Sequence, residues 1–156
     1  MSMPRTYADT SVFGGVFDDE FKDASLAFFE LVTKGRFQLL VSDLSRREID
    51  EAPEAVKDYF DSLLGRMQFV NMDQRAIDLR DAYMAAGVVG ARSLDDAAHV
   101  AAATVAKADL IISWNFRHIV HFEKIRLYND VNTTRGYGSI EIRSPLEVLD
   151  YEDQGV

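Results

Sequence analysis

The stretch SLDDAAHVAAATVAKADLIISWNFRH, residues 93–118, decides the fold. It reads as a helix, a tight turn, a buried strand and a polar exit. The helix is rich in Ala and Val and apolar on more than one side. Leu110-Ile111-Ile112 is an uninterrupted apolar run, as expected of a strand covered on both faces. Asp95 and Asp96 fall in the first helical turn, and Ser113 and Asn115 fall just past the strand. In a parallel sheet these two places share one edge, the edge at which α/β proteins bind ligands. The spacing therefore predicts that Asp96 and Asn115 lie close together.

The same alternation extends in both directions. Thr6-Tyr7-Ala8 is a strand ending in Asp9-Thr10-Ser11, and Gly14-Gly15 reads as a flexible loop. A helix is expected over residues 18–34, stopped by Gly35, with Phe21, Leu26, Phe28, Phe29, Leu31 and Val32 on its apolar face. A second strand covers residues 37–41. Ser42-Asp43-Leu44-Ser45 then opens a short helix carrying Glu48. Pro53 starts a helix that ends near Gly65. A third strand covers 67–70, Asp73 caps a helix through Ala86, and residues 87–90 form a loop. After Asn115 a short helix or turn gives way to a polar stretch as far as Gly138. Ile140-Glu141-Ile142 is a fifth strand, and Pro145 begins a last turn. Strands alternating with helices predict a three-layer α/β/α fold with a mostly parallel sheet of about five strands. No repeat, linker or low-complexity segment interrupts it, so residues 1–156 are expected to form a single domain.

Composition narrows the function. The 156 residues are 47% hydrophobic and 28% charged, ordinary for a globular protein. Without cysteine there is no disulfide framework, thiolate nucleophile or Cys-based zinc site. The opening Met-Ser-Met-Pro-Arg-Thr has no apolar signal core, and the apolar run at 97–106 is too short to span a bilayer. A cytoplasmic location away from membranes is the expectation. A net charge of −9 argues against general affinity for nucleic acid, so an RNA substrate needs a local basic rim. Arg46, Arg47, Arg92, Arg126 and Arg135 are the candidates; scattered surface arginines look the same in sequence.

Asp9 ends the first strand, Glu48 lies in the helix after the second, Asp96 opens the helix before the fourth, and Asn115 follows the fourth. All four map to the carboxyl edge. Asp109 precedes its strand and maps to the opposite edge, while Asp73 sits behind an outer strand. Capping alone explains each residue separately: Asp and Asn are favoured N-caps, and Ser45–Glu48 and Ser93–Asp96 both have capping-box spacing. As a set, several carboxylates in one crevice repel one another. A hard dication, Mg²⁺ or Mn²⁺, relieves that repulsion with oxygen ligands and can activate water for in-line attack on a phosphodiester.

These residues carry a resemblance. Tyr-Ala-Asp9-Thr-Ser-Val, Ser42-Asp-Leu-Ser-Arg-Arg-Glu48, Asp96-Ala-Ala-His-Val-Ala-Ala-Ala-Thr and Ile-Ile-Ser-Trp-Asn115-Phe-Arg-His, in this order and spacing, resemble the PIN-domain ribonucleases of the VapC-like toxin type. The resemblance spans nearly the whole chain. It implies metal-dependent hydrolysis of RNA at an acidic Mg²⁺ pocket, a cognate antitoxin that blocks the pocket, and a homodimer. Asp9, Glu48 and Asp96 match three of the family's acidic, metal-holding positions. The fourth, usually an aspartate in a Thr-x-Asp setting, is here Asn115, which accepts a hydrogen bond but supplies no charge. That substitution favours one ion with a transient second.

Other residues are weighed against simpler roles. Thr10 and Ser11 suit hydrogen bonds to Asp9 or to a phosphate, and suit a turn equally. Arg117 and His118 are placed to touch a scissile phosphate or to form a solvated turn. His99, one turn after Asp95 and Asp96, reads as a semi-buried core histidine before a ligand, and Trp114 as packed. The leading expectation is a Mg²⁺-dependent endoribonuclease of a toxin–antitoxin pair. The alternative is a catalytically weak or inactive PIN-like module that binds RNA or a protein. A phosphatase would want a second aspartate where Ser11 stands, and a receiver domain one where Asn71 stands. No Gly-x-Gly-x-x-Gly or P-loop supports nucleotide binding.

Overall fold

Strand order explains where a site can form. The computed structural model describes residues 3–149. Its strands are β1 (Arg5–Ala8), β2 (Gln38–Ser42), β3 (Met67–Val70), β4 (Leu110–Ile112) and β5 (Glu141–Arg143). They form one five-stranded sheet in the order β3-β2-β1-β4-β5, every pair parallel. The chain winds outward from β1 through β2 to β3, then crosses to the other side of β1 for β4 and β5. The winding reverses between β1 and β4, which opens a crevice at their carboxyl ends. Register brings Ala8 opposite Ile112, and the Asp9 N–H continues the ladder to the Ile112 carbonyl at 3.2 Å.

Alternation along the strands supplies two cores. Ala8, Leu39, Val41 and Ile112 face one side; there they pack with Val12, Phe13, Phe28, Phe29, Val32 and Phe60. Those partners come from α1 (Thr10–Gly15), α2 (Lys22–Thr33) and α4 (Glu54–Ser62). Tyr7, Leu40, Ile111 and Ile142 face the other side, against Leu79, Tyr83, Val100 and Tyr128. Their partners come from α5 (Gln74–Ala85), α6 (Leu94–Val105) and α7 (Phe122–Thr134). Helix α3 (Asp43–Asp50) follows β2 directly and carries Glu48. The sheet is therefore the middle of three α/β/α layers, as the alternation predicts.

Several local expectations change. Gly14 and Gly15 are not a loop; they close α1. Gly15 is glycine because of what presses on it: a Cβ there would lie 2.6 Å from Ser25 Oγ and 2.8 Å from Trp114 Nε1. Trp114 Nε1 donates to Ser25 Oγ at 2.8 Å directly over that glycine. The helix expected from residue 18 begins at Lys22. Before it, Asp18 ties a turn by accepting from the Glu20 N–H (2.8 Å) with its carboxylate and from the Phe21 N–H (3.0 Å) with its carbonyl. The polar stretch after Asn115 contains α7, in which only Tyr128 and Asn132 are fully buried; so narrow an apolar stripe is hard to see among charges. The capping box lies one turn earlier than expected, pairing Ser42 with Ser45, and Ser93 makes no side-chain cap.

Gly15→Ala is expected to cost about 1–3 kcal/mol by overpacking against the Trp114–Ser25 pair. Gly14→Ala, with no atom within 4 Å of its Cβ, is expected to be neutral or stabilising. Urea denaturation of the two variants checks the contrast.

Candidate functional site

Asp9 stands at the switch point and is buried, with 4% of its surface exposed. It is the residue before α1, yet its carboxylate makes no capping bond. Instead Oδ1 accepts from Ser11 Oγ at 2.6 Å. Ser11 Oγ in turn accepts from the Trp114 N–H at 2.9 Å and lies 3.4 Å from Ser113 Oγ. This clasp fixes the end of β1 to the exit of β4. Burial pushes the Asp9 carboxyl up, and the charge of Asp96 adds to the rise; His99, Ser11 and Ser113 oppose it.

Glu48 is brought over from α3. Its Oε1 accepts from Thr10 Oγ1 at 2.5 Å and from His99 Nε2 at 2.6 Å. His99, only 2% exposed, continues the chain: its Nδ1 lies 2.6 Å from the Tyr7 hydroxyl, which lies 2.8 Å from Ser42 Oγ. Burial alone would depress the imidazole. The Tyr7 oxygen, the Glu48 hydrogen bond and the charges of Asp9 and Glu48 outweigh it and hold His99 well above its ordinary value. His99 Nε2 donates to the Glu48 carboxylate, Nδ1 pairs with the Tyr7 hydroxyl, and the upward shift favours the charged ring. For Glu48, burial raises the carboxyl, but His99, Thr10 and Arg47 more than offset it and the net shift is downward.

Asp96 is half-buried in the first turn of α6 and hydrogen-bonds the Asn115 side chain. Because Asn115 Oδ1 already accepts from the His118 N–H at 2.9 Å, its amide group is the donor to Asp96. Burial raises Asp96; His118, Asn115 and His99 pull it back, while Glu48 adds repulsion. Asp95 is exposed and pairs with Arg47 at 3.1 Å. Arg46 is likewise engaged, with Asp61 at 3.2 Å. Arg117 is exposed and has no hydrogen bond or ion pair among the described residues. His118 is half-buried beside Asp96, and its Nδ1 is buried without a partner. Trp114 is packed, stacked on Phe21 with ring centroids 4.2 Å apart.

Asp9, Glu48 and Asp96 thus share one crevice and act on one another's charge. His99 acts on all three, opposing the rise of Asp9 and Asp96 and helping to lower Glu48. Among the described residues no group of three or more His, Asp or Glu side chains is arranged to hold a metal ion. One oxygen of each of two acids is already engaged, Glu48 Oε1 by two donors and Asp9 Oδ1 by Ser11, and Asn115 adds no charge. The residues as arranged do not fit a tightly held dication. The sequence reading missed the weight of His99 and the part of Tyr7. His99 stands one turn from Asp96 on the same helix; its contact with Glu48, 51 residues away, had no local signal.

His99→Ala strands Glu48 and Asp9 without their counter-charge and is expected to lower stability by about 2–3 kcal/mol near neutral pH. His99 is raised, so its contribution is complete below the unfolded histidine value and fades as pH rises through the raised folded one. Glu48 is lowered, so its contribution is complete above the unfolded glutamate value and fades as pH falls through the depressed folded one. The gap between wild type and variant should therefore be widest between those limits, as urea denaturation across pH will read.

Compared by sequence, no protein-family model and no curated protein matches this chain. Compared by structure, it is similar to a chain in the crystal structure of VapBC2 from Rickettsia felis bound to a DNA fragment from their promoter. The superposition has a TM-score of 0.58 at 11% identity, covering 89% of this chain and 97% of that one. At that identity the likeness concerns the fold, and it agrees with the strand order and layers described above: the architecture is PIN-like α/β/α.

Proposed function

We propose that the chain is a PIN-like module that acts by binding, with weak or no nuclease activity, and that it binds a protein offering basic and apolar side chains. One observation carries this reading: among the described residues no three acidic or histidine side chains are arranged to hold a metal ion, and the buried His99 is bonded to Glu48 instead. A polyanion approaching the acidic crevice meets three carboxylates and a net charge of −9. A cationic side chain meets complementary charge. Apolar residues stand open beside it: Leu94, in the same turn as Asp96, is 38% exposed; Phe116, next to Asn115, is 47% exposed; and Phe122, opening α7, is 86% exposed. A solved structure that shares the fold is of VapBC2, bound to DNA, and supports partner binding by analogy. No helix among the described residues is long and apolar enough to cross a membrane.

A second reading is the Mg²⁺- or Mn²⁺-dependent endoribonuclease of a toxin–antitoxin pair, homodimeric and restrained by a cognate antitoxin. Its support is that Asp9 and Asp96 lie at the switch point and repel each other, with Asp96 beside Asn115. In that reading Asp9, Glu48 and Asp96 would hold the ion, Asn115 would orient water, and Thr10, Ser11, Arg117 and His118 would contact RNA.

RNA incubated with the protein and Mg²⁺ or Mn²⁺ separates the two. Equal, background-level cleavage by wild type and Asp9→Asn is the expected result. Mn²⁺-stimulated cleavage that Asp9→Asn abolishes would replace the binding reading with the ribonuclease one. A synthetic peptide containing arginine and leucine serves as the partner probe; Asp96→Asn should weaken its binding about fivefold, the loss of one partly exposed charge pair.

A further inference from the structure

Beneath the opposite edge of the sheet lies a cleft of about 470 Å³. The segments leading into β4 and β5 form its floor and α5 reaches over it. Arg75, Lys107 and Arg135 line it, together with Thr104, Tyr137 and Ser139, and no carboxylate does. In a chain of net charge −9, three cations around one hollow without an acid are a strong local departure. Arg46, Arg47, Arg80 and Arg143 all have carboxylate partners. Arg75, Lys107 and Arg135 have none among the described residues. The Arg75 guanidinium instead lies over the Tyr137 ring, 5.7 Å from its centroid, which holds it at the wall.

Backbone geometry points the same way. Helices α2, α5 and α7 end on left-handed glycines, Gly35, Gly87 and Gly136, with φ of 78°, 72° and 87°. Helix α6 ends on Lys107, at φ 60°, the one non-glycine residue with positive φ among those described. Lysine is strained there where glycine is not. The partial negative charge at a helix end attracts Lys107 and Arg135 individually. It does not account for Arg75, for the missing acids, or for the strain kept at Lys107.

We propose that this cleft is an anion site for a phosphate-bearing ligand of about nucleotide size. Its volume falls in the range of small-molecule sites. Two guanidinium groups and an ammonium ion supply charge-assisted donors, and the Ser139 hydroxyl, with no hydrogen bond among the described residues, can add another. The inference does not rest on the binding reading of the acidic crevice.

Calorimetric titration of the full chain with inorganic pyrophosphate tests it. Saturable binding is expected, weakened about tenfold by each of Arg75→Ala, Lys107→Gly and Arg135→Ala. Asp9→Asn, at the other edge, should leave it unchanged. Lys107→Gly should also raise Tm, since glycine relieves the left-handed strain, so lost binding in that variant cannot be lost folding. Competition assigns the source of the phosphate. Displacement by 5′-phosphorylated but not 5′-hydroxyl RNA marks an RNA end; displacement by AMP alone marks a free nucleotide. No saturable binding of pyrophosphate, or equal binding by the three variants, overturns the proposal.

Discussion

The contact between His99 and Glu48 holds the carboxyl edge of this protein together. It joins α6 to α3, and through Tyr7 and Ser42 it joins both to β1 and β2. An ion pair buried to this degree is weak evidence of net stability, because removing both charges from water costs nearly what their attraction returns. Its value lies in specification. His99 opposes the effect of burial and mutual repulsion on the acids that share this edge. The rest of the crevice is arranged around that contact: Thr10 reinforces Glu48, and Ser11 takes up Asp9.

The sheet was legible because its signals are local. Ile111 and Ile112 stand in an unbroken apolar run and face opposite cores, as Leu39, Leu40 and Val41 do in β2. Asp96 and Asn115 could be brought together on paper because a parallel strand and the helix preceding it share an edge, and the two side chains do meet. Helix α7 was not legible because it buries so little. The role of Gly15 was not legible because its reason is an indole from Trp114, almost a hundred positions away in the chain. Sequence reasoning placed an ion among the carboxylates; the bond from His99 to Glu48 was not legible, because nothing in their spacing announces it.

The two edges of the sheet are electrically unlike. Acids gather where the strands end, and unpaired cations gather where β4 and β5 begin. The same parallel order that carries every post-strand acid to one edge carries every pre-strand residue to the other. Arg5 shows the consistency of the amino edge: its N–H donates to Asp109 Oδ2 at 2.8 Å, and its guanidinium reaches the Ala106 carbonyl at 2.9 Å. Asp109 is thus tied to the start of β1 and is not among the residues that line the cleft.

Strand order also constrains how the protein is made. The strand at the middle of the sheet, β1, is the first to leave the ribosome, and its neighbour β4 follows about a hundred residues later. Until then β1 can pair only on one side, with β2, and its other flank is an open ladder of backbone amides and carbonyls. The nascent chain therefore carries an unfinished sheet until β4 emerges, and closure waits for contacts of very long range, which form slowly. A chaperone that shields that flank would have more to do for this protein than for one whose central strand is made last.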